Sequence, residues 1–284
     1  MNQYQKRVAA IHDLSGFGRC SLTVALPILS AAGIEASALP TAVLSTHTGG
    51  ISGYTYRDLT EDMRPFLRHW RDLGIQFDAI YSGFLGSFEQ LEIVKDFFKT
   101  FKRENNLILV DPVMADNGEL YKIFSHDFAK GMKTLCEKAD IIVPNLTEAA
   151  LLLDEPYQPG PYTRAYIDEL LHKLSKLGPK RVVLTGVYFH EDELGAATYD
   201  AKKGSVEYIL TQRVPGYYHG TGDVFASALL SGLLNNFNLE QSTEIAVHFT
   251  AESIQRTFKA QTDYRFGVNF EQSIPNFLKE LKLI

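Results

Sequence analysis

Short apolar runs alternate along this chain with longer stretches in which apolar residues recur every three or four positions. The runs at 8–11, 36–43, 77–81, 107–110, 141–143 and 182–184 are β-branched or aromatic and are bounded by Gly, Pro, Asp or Asn, as strands are. Between them, 21–32, 58–73, 88–102, 127–138 and 162–177 are each long enough for a helix. Such alternation predicts βαβ crossovers and a mostly parallel sheet covered on both faces, a three-layer α/β/α fold. Residues 195–199 and 205–210 flank Asp200-Ala201-Lys202-Lys203-Gly204 and predict a small hairpin at the sheet edge. Helices over 221–235, 239–258 and 270–281 complete the pattern. Gln158-Pro159-Gly160-Pro161 is the most breakable connection, but an apolar-patterned helix resumes at once. Residues 1–284 are therefore expected to form one domain.

Ligands of such sheets lie beyond the carboxyl ends of the strands. The residues that follow the runs are His12-Asp13-Leu14-Ser15-Gly16, Ser45-Thr46-His47-Thr48-Gly49, Ser82-Gly83-Phe84, Asp111 to Gly118, Pro144 to Glu148, and Thr185-Gly186. Turn chemistry accounts for each singly. As a set they offer groups for a hydroxyl, a phosphate or a hydrated metal. His219-Gly220-Thr221-Gly222-Asp223 is more pointed, because it feeds directly into the helical run 224–234. The first amides of a helix lack partners within it and its dipole favours an anion there. Two glycines let a phosphate approach those amides. Asp223 would compete with that phosphate unless it takes a proton from the hydroxyl that the phosphoryl group joins. A carboxylate so placed is expected to be more acidic than usual.

The net charge of −6 leaves no basic field for nucleic acid. Cys20 and Cys136 are far apart and lack CxxC spacing, so buried free thiols are expected rather than disulfides or a cysteine zinc site. No apolar h-region opens the chain, and no run reaches the roughly 18 residues of a membrane span. A cytoplasmic protein without membrane partners is expected. There is no GxxxxGK[ST]. Gly16-Phe17-Gly18-Arg19-Cys20-Ser21 misses the dinucleotide GxGxxG at Ser21, and the acidic residue expected after the second strand is absent. His12, His47 and His219 are not at metal-ligand spacing.

In this order, Asp111-Pro112-Val113-Met114, Pro144-Asn145-Leu146-Thr147-Glu148, Val183-Leu184-Thr185-Gly186 and Gly220-Thr221-Gly222-Asp223 resemble the ribokinase superfamily. More narrowly, they resemble its vitamin-kinase branch, the pyridoxal/pyridoxine/pyridoxamine and hydroxymethylpyrimidine kinases. Ser45-Thr46-His47-Thr48-Gly49 is similar to an element of the pyridoxal kinases. The resemblance implies ATP-dependent phosphorylation of the 5′-hydroxymethyl of a small vitamin B6 substrate. It implies Asp223 as the base and Gly220, Thr221 and Gly222 as the anion hole. Asn145, Glu148 and Asp111 would serve ATP and Mg2+, with Asp111 and Glu148 nearest the metal, and Thr185 and Gly186 would meet phosphate. Asp13, Ser15, Thr48 and Phe84 would line the substrate pocket. A homodimer is usual in such kinases, and a K+ requirement stays open.

Asp13 stands where many pyridoxal kinases have Ser and resembles the pyrimidine kinases, so an amine-bearing ring is one expectation. Hydroxymethylpyrimidine phosphorylation is the alternative within this class, followed by a sugar kinase, for which 48–57 is a short lid. A non-catalytic binding relative is the alternative outside it. The loop 263–267 closes over nucleotide or is a turn.

Overall fold

The computed structural model describes residues 4–284. In chain order the elements are β1 Arg7–Phe17, α1 Leu22–Ala31, β2 Glu35–Thr46, β3 Tyr56–Asp58, α2 Thr60–Asp72, β4 Ala79–Ser82 and α3 Phe88–Phe101. There follow β5 Leu107–Val110, β6 Ala115–Asp116, β7 Glu119–Leu120, α4 His126–Cys136, β8 Ile141–Ile142, α5 Leu146–Leu153, α6 Arg164–Lys176 and β9 Arg181–Val187. Last come β10 Glu193–Asp200, β11 Ser205–Gln212, α7 Thr221–Leu234, α8 Leu239–Ala260 and α9 Ile274–Glu280, the last two separated by short 3-10 turns.

Nine strands form one sheet in the order β11-β10-β9-β8-β5-β4-β1-β2-β3. The six from β9 to β2 are parallel; β3, β10 and β11 run antiparallel to their neighbours, so the edge hairpin predicted at 195–210 is present. The apolar strand runs do not alternate with polar residues because both faces are buried. Ile108 and Val110 join one core with α2 to α6, while Leu109 between them joins the other with α1, α7, α8 and α9. Ile142 against Ile141, and Val182 and Leu184 against Val183, divide the same way. The result is the expected three-layer α/β/α arrangement.

Several boundaries differ from expectation, each for a physical reason. β1 was expected to end at Ile11. Its pairing with β4 does stop there, but with β2 it continues to Phe17, and β3 pairs with β2 over the same stretch, so a three-stranded extension rises past the carboxyl edge of the sheet. Asp13 and Ser15 therefore lie inside β1 rather than after it. β9 likewise runs on through Thr185 and Gly186 because β10 keeps pairing with it. The eight residues of α5 form a helix that apolar periodicity does not reveal, since six of them are buried all round. Asn117-Gly118, with φ of 51° and 84°, turns the small hairpin β6–β7, an Asn-Gly signal that went unread. The helix expected at 270–281 begins as a 3-10 turn and becomes α-helical only at Ile274.

Cys20 and Cys136 are buried and free, as expected. Among the described residues no helix is long and apolar enough to cross a membrane.

Candidate active site

At the carboxyl edge, β1, the turn before α1 and the N-terminus of α7 converge. The register of β1 on β2 shifts between His12 and Leu14. A bulge re-aims side chains; His12 faces Asp223 at the start of α7, while Asp13 meets Ser21 just before α1. Asp13 accepts hydrogen bonds from Ser15 Oγ at 2.8 Å and Ser21 Oγ at 2.5 Å. Ser21 also donates its backbone N–H to Asp223 Oδ2 at 2.8 Å. One residue thus ties the two carboxylates together. It does so in a backbone conformation, φ 55° and ψ −128°, that glycine ordinarily supplies. Strain of this kind collects at functional sites. Ser21 was expected to open a helix; its side chain caps nothing and serves Asp13 instead.

Helices α3, α4, α5, α6 and α8 start under Ser, Asn or Thr caps, but α7 does not. Its N-cap is Gly220, and Val224 is the residue whose N–H returns to Gly220 O, at 3.1 Å. The amides of Thr221, Gly222 and Asp223 therefore precede the helical ladder. Gly220 has φ 74°, and a Cβ there would lie 2.0 Å from Arg19 O, so the position admits only glycine. Gly222 is roomier: its nearest neighbour would be Asp111 Oδ2 at 3.8 Å.

Asp223 departs from expectation. The helix end and the Ser21 N–H favour its ionised form, yet burial, aided by the Asp13 charge, wins and raises the carboxyl from 3.8 to about 7. A group with that affinity suits proton acceptance near neutral pH. Asp111 is raised as well, by burial and then by Glu148 and Asp223. Burial lifts Glu148 to about 8 against the backbone N–H groups it accepts. Asp13 is raised by burial despite its serine donors. Among the described residues no Lys or Arg pairs with any of these four carboxylates.

Asn145 and Glu148 form a capping box that starts α5. Glu148 also accepts from Met114 N at 3.1 Å, and Asn145 donates to Ala115 O at 2.8 Å, so the box grips the chain leading into β6. The backbone of Thr185 donates to Pro144 O at 3.0 Å, which brings Thr185 and Gly186 alongside Asn145. Thr48 is exposed on the turn after β2. Phe84 is half-buried, its ring 5.7 Å from that of Phe124. Neither side chain is hydrogen-bonded to the carboxylate cluster.

A sequence model of the family described as phosphomethylpyrimidine kinase matches residues 28–267. The chain belongs to that family. It is a small-molecule kinase, as the ordered motifs implied. The pyridoxal kinase of Ovis aries is 30% identical over 87% of this chain and 83% of its own length. A Bacteroides thetaiotaomicron protein ascribed to the phosphomethylpyrimidine kinases, crystallised with pyridoxal, superposes with a TM-score of 0.92 at 41% identity, covering 96% of each chain. The pyridoxal kinase of Lactobacillus plantarum gives a TM-score of 0.89 at 32% identity over 97% of this chain and 98% of that one.

Sequence reasoning missed the bridging role of Ser21, the burial of His12 against Asp223, and the bond from Tyr217 OH to Asp116 Oδ2 at 2.7 Å that ties the entry of α7 to β6. It also left the 263–267 loop unplaced. That loop packs on the Arg19 turn: Arg19 N donates to Phe266 O at 3.0 Å, Phe266 stands edge-on to Phe17 at 5.0 Å, and His47 Nε2 meets Arg265 O. A Cβ at Gly267 would lie 2.6 Å from Arg19 O. Gly220 and Gly267 thus both pack against the Arg19 carbonyl.

Proposed function

We propose that this chain, acting as one kinase domain over residues 1–284, transfers the γ-phosphoryl group of ATP to the 5′-hydroxymethyl of a vitamin B6 form. The observation that carries this is the Asp223 carboxyl, largely but not wholly buried and raised to about 7, in the first turn of a helix without a side-chain cap. Phosphoryl transfer asks for positioning and charge neutralisation. Asp223 Oδ2 is held by Ser21 N–H, so Oδ1 is the freer oxygen to accept the hydroxyl proton. The amides at 221–223 take up charge on the moving group. The likeness to the Bacteroides protein crystallised with pyridoxal supports the B6 ring as substrate.

A place for the nucleotide base is offered by a cleft of about 500 Å³ against α8, bordered by Arg213, Pro215, Ala251 and Gln255 and by the acids Glu252 and Glu280. It lies at the carboxyl end of β11, the edge that also carries Thr185 and Gly186. Asp111 and Glu148 fit a hydrated Mg2+: both are buried acids pushed toward neutrality, and among the described residues no Lys or Arg is paired to them. Among the described residues no three side chains form a direct ligand set, which suits an ion that keeps waters and phosphate oxygens. Bound there, it would neutralise phosphate charge. We place the enzyme in the cytoplasm, as a homodimer.

Glu148→Gln tests the acidic pair. Both Glu148 oxygens accept backbone N–H, from Met114 and from Asn145. Gln keeps the shape of the side chain and removes the charge, so half-saturation by Mg2+ in the kinase assay should rise. An unchanged Mg2+ dependence would remove Glu148 from the metal role.

The substrate assignment is tested by kcat/KM for pyridoxal, pyridoxine, pyridoxamine and hydroxymethylpyrimidine side by side. Both Asp13 oxygens already accept serine hydroxyls, which lessens its draw on a ring amine. The B6 forms are expected to exceed the pyrimidine. The reverse order would move the protein to pyrimidine phosphorylation.

A further inference from the structure

His12 is fully buried, and neither of its ring nitrogens has a hydrogen-bond partner among the described residues. A buried polar group left unpaired costs about 1–3 kcal/mol, so an apolar side chain would serve packing better. The imidazole is nonetheless closely fitted. Tyr81 packs edge-on with ring centroids 4.3 Å apart, and a Cβ at Gly83 would lie 2.3 Å from His12 Nδ1. In strand β1, Val8 points to the α7 side of the sheet and His12 shares its parity, which aims the ring at α7. Nδ1 stands 3.9 Å from Asp223 Oδ1. That is the oxygen Ser21 leaves free.

We propose that neutral His12, protonated on Nδ1, is a positioning residue that donates to Asp223 Oδ1 when this carboxylate ionises, leaving the second lone pair of Oδ1 for the substrate hydroxyl. The inference rests on the reading of Asp223 as the base. A charge-assisted bond of about 2.8 Å needs Nδ1 and Oδ1 to close by roughly an ångström. Burial holds the imidazole neutral, near 3, so it acts as a donor and not as a cation. The other groups around Asp223 are the Asp13 carboxylate on β1, the Cys20 thiol before α1, the Tyr81 phenol on β4 and Asp111 after β5. Each, when charged, is an anion that opposes ionisation of Asp223. Together with the Ser21 N–H, His12 would offset them.

The test compares His12→Leu and His12→Asn with wild type in full pH profiles of kcat and KM. An Asn side chain carries its amide near the place of Nδ1 and restores the donor. In His12→Leu the acid limb of kcat should move up by about one to two pH units, the worth of a hydrogen bond to a charged group. Its rate should fall about tenfold or more at pH 6 and recover toward wild type by pH 9, with both KM values within about twofold. His12→Asn should keep the wild-type limb. An unmoved limb in His12→Leu, or an equal displacement in His12→Asn, overturns the proposal. Should His12→Leu not fold, nitrogen NMR of histidine-labelled wild type decides: the Nδ1–H tautomer supports it and the Nε2–H tautomer overturns it. Wild-type turnover in Asp223→Asn would instead defeat the base assignment itself.

Discussion

Asp223→Asn is expected to lower kcat by about 10²–10⁴ with ATP binding nearly unchanged, the range for loss of a general base. Asn can still accept the Ser21 N–H that holds Asp223 Oδ2, so the turn before α1 keeps its anchor and the loss reads as chemistry. The wild-type rate should rise with pH through the neutral range, because the base works only when ionised and its carboxyl sits at about 7. The sign for stability is the opposite. A carboxyl raised from 3.8 to about 7 is neutral in the fold where it is ionised in the unfolded chain, so stability falls as pH climbs through that window. Removing the charge removes that penalty, and Asp223→Asn should gain more in Tm over wild type at pH 8 than at pH 5. A variant with wild-type kcat, or one whose Tm advantage shrinks as pH rises, would contradict the role and the environment assigned to Asp223.

The glycines of the proposed anion hole should separate folding from catalysis. Gly220→Ala combines φ 74° with a Cβ 2.0 Å from Arg19 O and should cost more than about 3 kcal/mol, visible as a large drop in Tm. Any loss of activity there says little about phosphate. Gly222→Ala meets only Asp111 Oδ2, at 3.8 Å, so it should fold. Its methyl nevertheless stands beside the amides that would hold the phosphoryl group, and kcat should fall about 10²-fold, as when an oxyanion donor is lost. Normal turnover in a folded Gly222→Ala would place the anion elsewhere. The positive φ of Gly220 and the Arg19 carbonyl beside it make that glycine unsuited to the same test.

Most of the architecture was legible because strands buried on both faces write continuous apolar runs and the helices between them write a 3.6-residue period. What escaped has identifiable causes. α5, Leu146–Leu153, has no polar face to mark it. Asn145 and Glu148 form its capping box, and the Mg2+ role that the resemblance implies for the same two residues hid that structural reading. The extension of β1, β2 and β3 beyond Ile11 depends on where β4 stops, a tertiary fact. The candidate site residues that sequence offers are those on the ordered motifs. Ser21 was passed over because a serine before an apolar run reads as a helix cap, and only its φ of 55° reveals the other task. The shift of Asp223 was misjudged in direction because the helix end is visible in sequence while burial among acids is not.

The account stands or falls on where the phosphoryl group goes. Pyridoxine and Mg-ATP incubated with the enzyme, followed by phosphorus and proton NMR, should give ADP and a phosphorylated ring in equal amounts, with phosphorus coupled to the 5′-methylene protons. Phosphorus on another oxygen, or ADP released without any phosphorylated ring, would contradict it.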